Sequence, residues 1–253
     1  MNAEKPETTV EVGENLIHFI ARSPSVFHAV HGVKEALLYS GFTEIREEDP
    51  WHIEKGGKYV VTRNGSALIA FTVPEEGARS FHIMASHADS PCFKIKENPE
   101  IKEGPYVKLN VEGYGGMIMS TWLDRPLSVA GRLIVRENGH LAQKLAAVDG
   151  TMLVIPSVAI HMDRNVNHKK DWNVQKDLLP LYGLATEKTS FMDVIAASAN
   201  VKTEDIVAHD LYLYSRVPGT IWGEEKEFIS SPKLDDLQCG FAAFRGFMRG
   251  KKE

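Results

Sequence analysis

We expect the fold to be organised around the stretch FHIMASHADSP, residues 81–91. Its apolar and β-branched side chains favour a buried β-strand, and Pro91 ends the strand because proline cannot donate to a sheet ladder. His87 and Asp89 then lie at the carboxyl end of the strand, the edge at which open α/β sheets bind ligands. Residues two apart on a strand point the same way. An imidazole and a carboxylate in one crevice suit a metal site or a general base, although His-x-Asp alone is more often a simple strand end.

Composition limits the classes of function. The chain has 253 residues, enough for one large or two modest domains, and its 43% apolar and 25% charged content is typical of a globular protein. A net charge of −5 argues against a nucleic-acid partner or an anionic membrane surface. Two cysteines give no disulfide framework, and neither a signal core nor a membrane-spanning apolar run is visible. We therefore expect a cytoplasmic protein.

The first part of the chain predicts an α/β layer. Apolar spacing indicates helices over residues 12–21 and 26–39. Asn64-Gly65 is a strong hairpin signal between strands at 58–63 and 67–73. With the strand at 81–89, these elements make a sheet with helices packed on it.

The middle of the chain changes character. Short β-like runs follow one another at 107–111, 128–135, 152–155 and 211–214, with one short helix at 190–198. This spacing favours a β-rich, barrel-like or sandwich-like domain. A helical run from Gly240 to Met248 then restores the earlier pattern. The order predicts an α/β domain made of residues 1–93 and 218–253, interrupted by a β-rich insertion at 94–217.

Four stretches carry a family resemblance. They are SHADSP at 86–91, YGG at 114–116 with TWLDRPLSVAGR at 121–132, IPSVAIHMDR at 155–164, and SPKLDDL at 231–237. In order and approximate separation they resemble motifs of the M18 family of zinc aminopeptidases, the aspartyl aminopeptidase and aminopeptidase I group. The resemblance covers essentially the whole chain.

The resemblance implies a zinc-peptidase-like catalytic domain with an inserted β-rich oligomerisation domain, two zinc ions in each site, and peptide substrates. It implies self-association, typically into dodecamers. His87 would bind one zinc ion, Asp235 would bridge both, and Asp89 would orient His87 in a carboxylate–histidine–zinc arrangement. His161, from the inserted domain, would reach the active site of a neighbouring subunit and contact substrate.

Some assignments stay open or take a structural interpretation. The family motif places the bridging ligand at Asp235 and usually has asparagine at position 236, so Asp235 is preferred over Asp236. We interpret Asp124 and Arg125 as a buried structural ion pair beside Trp122 rather than as catalytic groups.

The sequence also departs from the family. The family has a Glu-Glu pair after the second metal motif, supplying a general base and a ligand, and then a further Asp and a His. None has a counterpart here, and Glu224-Glu225 precedes Asp235 and is interpreted as a charged loop. One histidine and one shared carboxylate fall short of the three ligands that a catalytic zinc needs. A missing base alone is worth about 10²–10⁴ in rate.

Three hypotheses follow. The first is a C-terminally truncated M18 aminopeptidase, inactive in this form. The alternative is a non-catalytic remnant whose inserted domain still mediates oligomerisation. The third, a related two-metal aminopeptidase or deacylase with the same His-x-Asp start, is disfavoured by the family-specific segment at 114–132.

Overall fold

The structure is a computed structural model that describes residues 7–168, 170–185 and 190–250. The fold is mixed α/β, and the chain divides into two compact units. The first unit comprises residues up to Ser90 and from Pro218 onward, and the second comprises Pro91–Val217.

Two helices open the first unit, α1 (Thr9–Ala21) and α2 (Val26–Tyr39). The α2 prediction is confirmed in full. Helix α1 begins earlier than predicted because Thr8 is its N-cap: the Thr8 side chain accepts from the backbone of Glu11, and the Glu11 carboxylate accepts from the backbone of Thr8. Such a box satisfies N–H groups that the first helical turn leaves without partners.

A three-stranded sheet follows, made of β1 (Thr43–Glu44), β2 (Lys58–Arg63) and β3 (Ala67–Thr72). Strand β2 lies between β1, which is parallel to it, and β3, which is antiparallel. The predicted hairpin is confirmed. Asn64 and Gly65 have φ angles of 53° and 65°, the left-handed values that a tight hairpin turn requires and that these two residue types tolerate.

The predicted buried strand at 81–89 is wrong. These residues lie outside helices and strands, and the side chains of Phe81 and Ile83 are 87% and 83% exposed. A strand needs a neighbour for its backbone hydrogen bonds, and within the described residues no strand pairs with this segment. The apolar pattern shows that the segment is able to form a strand. Whether the strand forms depends on a neighbouring strand with which it can pair.

The second unit is built on antiparallel strands. Its elements are β4 (Cys92–Glu103), β5 (Tyr106–Tyr114), β6 (Leu127–Glu137), β7 (His140–Ala147), α3 (Val174–Asp177), β8 (Leu181–Leu184), α4 (Phe191–Ser198) and β9 (Ile206–Ser215). The six strands form one sheet in the order β7-β6-β9-β4-β5-β8. Its core includes Phe93, Leu109, Leu133, Ile195 and Leu211.

Most local predictions in this unit are confirmed. The runs at 107–111, 128–135 and 211–214 lie inside β5, β6 and β9, and the helix predicted from 190 is α4 with Ser190 as its N-cap. The run at 152–155 makes only isolated bridges.

The chain then returns to the first unit with the hairpin β10 (Thr220–Trp222) and β11 (Phe228–Ser230), followed by α5 (Leu234–Arg249). Leu237 and Phe241 of α5 pack with Leu16 and Ile20 of α1. None of the helices in the described part of the chain combines the length and apolar character that crossing a bilayer requires.

Candidate metal-binding site

The first half of the candidate site is the loop that carries His87 and Asp89. The His87 Nδ1 atom lies 3.2 Å from Asp89 Oδ1. The His87 side chain is 78% exposed and that of Asp89 is 29% exposed. A carboxylate facing Nδ1 fixes the orientation of an imidazole and leaves Nε2 for a ligand.

The second half is the turn at residues 233–236, which precedes the regular part of α5. Lys233 has a left-handed φ of 58°, and its ammonium group donates to the carbonyl oxygens of Ile20, at 3.2 Å, and Ser23, at 2.6 Å. A cation is favourable there because the last carbonyl groups of a helix carry partial negative charge. Lys233 therefore ties the turn to the end of α1.

Two backbone hydrogen bonds join the halves. The His87 N–H donates to Asp236 Oδ2 at 3.2 Å, and the Asp236 N–H donates to the Asp89 carbonyl oxygen at 3.4 Å. Gly240 permits this approach, because a Cβ atom there would lie 3.3 Å from the His87 carbonyl oxygen. The start of α5 and the 87–89 loop are thus packed directly against each other.

The neighbouring carboxylates of Asp235 and Asp236 have different environments. Hydrogen bonds from the Cys239 thiol, the His87 N–H and the Cys239 N–H lower the pKa of Asp236. No hydrogen bond or ion pair reaches the Asp235 carboxylate from the described residues. The peptide bond between the two residues is cis, and both have non-helical backbone angles. Of the two carboxylates, that of Asp235 has its oxygen atoms available for a ligand.

In the second unit, the interpretation of Asp124 and Arg125 as a buried ion pair is wrong. Both residues are exposed, and the Asp124 carboxylate instead accepts hydrogen bonds from the Ser157 hydroxyl at 2.6 Å and the Ser157 N–H at 2.9 Å. These bonds lower the pKa of Asp124. Arg125 donates to the carbonyl oxygen of Thr121. The left-handed backbone of Asp124, with a φ of 57°, aims its carboxylate at the 155–164 segment rather than at Arg125.

His161 lies in an exposed loop of the second unit. Its side chain contacts no hydrogen-bonding or charged partner among the described residues. Val158, Ile160 and Met162 on either side of it are also exposed. The loop therefore combines one imidazole with apolar side chains that the unit itself does not bury.

Comparison with known proteins gives the family. Residues 19–253 match the family model described as aminopeptidase I zinc metalloprotease (M18). The chain belongs to the M18 family. It is 45% identical over 251 residues to the probable M18 family aminopeptidase 2 of Clostridium acetobutylicum, a match that covers 96% of this chain and 58% of that relative. The chain thus spans little more than half the length of the M18 proteins it matches.

Solved structures of other proteins share the fold. The structure of the Ape4 and Nbr1 complex aligns with a TM-score of 0.89 and 32% identity, covering 94% of this chain and 50% of that one. The dodecamer of Saccharomyces cerevisiae mApe1 aligns with a TM-score of 0.79 and 24% identity, over 94% of this chain and 56% of that one. The second likeness is evidence for the fold alone.

Zinc is the metal of the M18 family. Among the residues that the structure describes, no group of three or more His, Cys, Asp and Glu side chains could hold a metal ion. A catalytic zinc normally has three protein ligands. The described residues therefore do not fit a complete zinc site, and the ligand roles of His87 and Asp235 stay predictions.

Sequence reasoning missed two residues that shape this region. Lys233 carries no local signal for its bonds, since its partners lie more than 200 residues earlier in the chain. Asp236 was considered only as the less favoured alternative to Asp235 for the bridging ligand, so its structural role was missed. Its bond to the His87 backbone is visible only in three dimensions.

Proposed function

We propose that this chain provides the His87 and Asp235 part of the active site of a zinc aminopeptidase that removes N-terminal residues from peptides. The observation that carries the proposal is the meeting of the 87–89 loop with the start of α5, where the His87 N–H donates to Asp236 Oδ2. The loop and the turn of an M18 chain are thereby placed side by side, each with a side chain able to bind metal.

Each residue has a proposed role. His87 is a zinc ligand through Nε2, and Asp89 orients its ring through the 3.2 Å contact with Nδ1. Asp235 is the carboxylate shared by two zinc ions. This role is supported by the lack of hydrogen bonds to its oxygens from the described residues, whereas the Asp236 carboxylate already accepts from the His87 N–H. We propose two zinc ions for the complete site.

We further propose that the chain alone is inactive. The described residues supply fewer ligands than one catalytic zinc needs. Exposure of Phe81, Ile83 and Met84 supports the same view, because a run of large apolar side chains in water is typical of a surface that another segment covers. The M18 relatives have additional length that this chain does not span, and we assign the missing ligands and the covering strands to that length.

Self-association is part of the proposal. His161 and the exposed Val158, Ile160 and Met162 would enter a neighbouring subunit, where His161 contacts substrate. The aminopeptidase assignment rests on the family, and no observation specifically favours a purely oligomerising remnant. We propose the cytoplasmic location that the low cysteine content of the sequence favours.

The test joins this chain to the part of the Clostridium acetobutylicum relative that lies beyond the match. We expect the fusion to bind zinc and to release N-terminal residues from peptides, and the 253-residue chain to do neither. Peptides with N-terminal aspartate and leucine should be compared, together with zinc content measured by atomic emission.

Variants of the fusion assign the roles. H87Q and D235N should lose zinc and lower kcat/KM by at least about 10²-fold, and D89N should cost about 10–100-fold, as for other partners of metal-bound histidines. H82Q is the matched control, since His82 is an exposed histidine of the same segment. Full zinc content and turnover in D235N would remove Asp235 from the site, and an inactive, zinc-free fusion would contradict the proposal as a whole.

A further inference from the structure

Regular secondary structure does not hold the 87–89 loop in position. Residues 81–89 belong to no helix or strand, so a sheet ladder does not hold them. His87 is mostly exposed, and the hydrogen-bonding contact of its ring within the described residues is with Asp89 of the same loop. A metal site nevertheless requires its ligands to be held within about half an ångström. Some other group must therefore position His87.

Asp236 contacts the loop on both sides of Ala88. Its carboxylate accepts the His87 N–H at 3.2 Å, and its own N–H donates to the Asp89 carbonyl oxygen at 3.4 Å. We call these two bonds the 87–236 clasp. The first is charge-assisted, which makes it about twice as strong as a bond between neutral groups. The clasp fixes the backbone on either side of the His87 side chain.

Capping of α5 is the alternative role for the same carboxylate. Cys239, three residues further along, lowers the pKa of Asp236 through its thiol and backbone N–H. A cap would satisfy an N–H group that the first helical turn otherwise leaves unpaired. The Asp236 side chain thus ties the beginning of α5 to the 87–89 loop. The neighbouring Asp235 carboxylate accepts no hydrogen bond from the described residues.

We propose that Asp236 is a positioning residue: it holds the His87 loop against the start of α5, so that His87 and Asp235 form one preassembled half of the metal site before any metal binds. The inference rests on the proposed function for the identity of the ligands. The clasp itself is a property of this chain without metal. A residue that only capped α5 would have no influence on His87.

Three substitutions separate the two roles. Asn retains a carbonyl oxygen at the same reach, so D236N keeps both the cap and the clasp. Ser is as good an N-cap as Asp, but its shorter side chain does not reach His87, so D236S keeps the cap and loses the clasp. D236A loses both.

The test is amide hydrogen exchange of the 253-residue chain, resolved by residue with NMR. In the unmodified chain, the His87 amide should exchange at least about tenfold more slowly than the His82 amide, which has no acceptor among the described residues. This comparison requires no variant. Equal rates at His82 and His87 would overturn the proposal.

In D236S the His87 amide should exchange about tenfold faster, with the Cys239 amide and the amides of α2 still protected. D236N should restore slow exchange at His87, and D236A should expose both His87 and Cys239. Unchanged exchange at His87 in D236S would show that Asp236 only caps the helix. No zinc is present in these measurements, so their failure is distinct from a failure of the fusion to bind zinc or cleave peptides.

Discussion

The ammonium nitrogen of Lys233 lies 2.6 Å from the backbone carbonyl oxygen of Ser23, 210 residues earlier in the chain. The bond joins the loop after α1 to the turn that carries Asp235 and Asp236. Its second acceptor is the carbonyl oxygen of Ile20, at 3.2 Å. Packing of Leu237 against α1 positions α5, whereas Lys233 fixes the turn that precedes the regular part of α5.

Removing this ammonium group should destabilise the first unit. We expect K233M to lower the free energy of unfolding by about 1–3 kcal/mol, because two backbone carbonyls lose a charged donor. K233G loses the same bonds, but glycine relieves a left-handed backbone conformation that costs other residues about 1–2 kcal/mol. K233G should therefore be more stable than K233M. Urea unfolding followed by circular dichroism measures both differences.

Lys226 provides the control for Lys233. It has nearly the same φ, 59°, but it lies in the exposed β10–β11 turn, and its side chain makes no hydrogen bond within the described part of the chain. K226M should leave the free energy of unfolding within about 0.5 kcal/mol of the unmodified chain. An equally small effect for K233M would contradict the role given to Lys233.

The glycines of α5 make a second prediction. A Cβ atom at Gly246 would lie 3.8 Å from the end of the flexible Met84 side chain, an ordinary contact. G246A should therefore stabilise the chain by about 0.5–1 kcal/mol through helix propensity. At Gly240 the same atom would lie 3.3 Å from the His87 carbonyl oxygen, in a loop that Asp236 holds.

We expect G240A to be at least about 0.5 kcal/mol less stable than G246A, since the close contact offsets the gain in propensity. Urea unfolding of both variants under the same conditions measures the difference. Equal stabilisation by the two substitutions would mean that the 87–89 loop moves freely away from α5.

Elements set by local chemistry could be predicted from the sequence. Asn64-Gly65 specified its hairpin, because few residue pairs accept two left-handed φ angles, and Ser190 specified the start of α4 through its cap. The segment at 81–89 could not be predicted in this way. Its apolar pattern describes a strand, but a strand depends on a partner from any part of the sequence, and none of the described residues supplies one.

The same distinction between local signals and long-range contacts applies to the candidate site. His87, Asp89 and Asp235 were nominated by residue type and motif, and their roles stay predictions. Sequence pattern could not supply the bond from the His87 backbone to Asp236, which joins residues 149 apart. Backbone donors are present at nearly every residue, so no residue type marks the one that is used.

His28 predicts a pH dependence of stability. Burial, helped by the nearby positive charge of Lys233 and by His31, lowers the pKa of His28 from 6.5 to about 4. The unfolded chain therefore takes up a proton at this residue as the pH falls from 6.5 toward 4, while the folded chain does not. The free energy of unfolding should decrease by about 2 kcal/mol from this group between pH 7 and pH 5.

Substitution isolates this contribution. H28Q should remove that part of the pH dependence, although it also alters the 2.8 Å contact between the Ser25 hydroxyl and His28 Nδ1. The quantity to compare is therefore the change in unfolding free energy between pH 7 and pH 5, not its absolute value. H18Q, which replaces an exposed histidine of α1, should keep the slope of the unmodified chain. An unchanged slope in H28Q would exclude His28 as its source.

Gly131 leads to the most specific prediction. Close packing of two strands, rather than a catalytic role, explains why glycine stands at this position of the 121–132 segment. It pairs with Leu211 across β6 and β9, and a Cβ atom there would lie 1.9 Å from the carbonyl oxygen of Asp210. The next residue, Arg132, donates through Nε and Nη2 to Asp210 Oδ2, both at 2.9 Å. At the end of the 121–132 segment, Gly131 thus allows β6 and β9 to approach unusually closely, and Arg132 forms an ion pair across the two strands.

G131A should therefore destabilise the second unit by about 3 kcal/mol or more, since a backbone carbonyl in a central ladder cannot move aside. G183A is the matched control: Gly183 lies in β8 of the same sheet, and a Cβ atom there would meet nothing within 4 Å. Its effect should stay within about 0.5 kcal/mol. Urea unfolding gives both values, and amide exchange at Leu211 locates the loss in this unit. If G131A matched G183A, the close approach of the two strands would be wrong and the motif would need a different explanation.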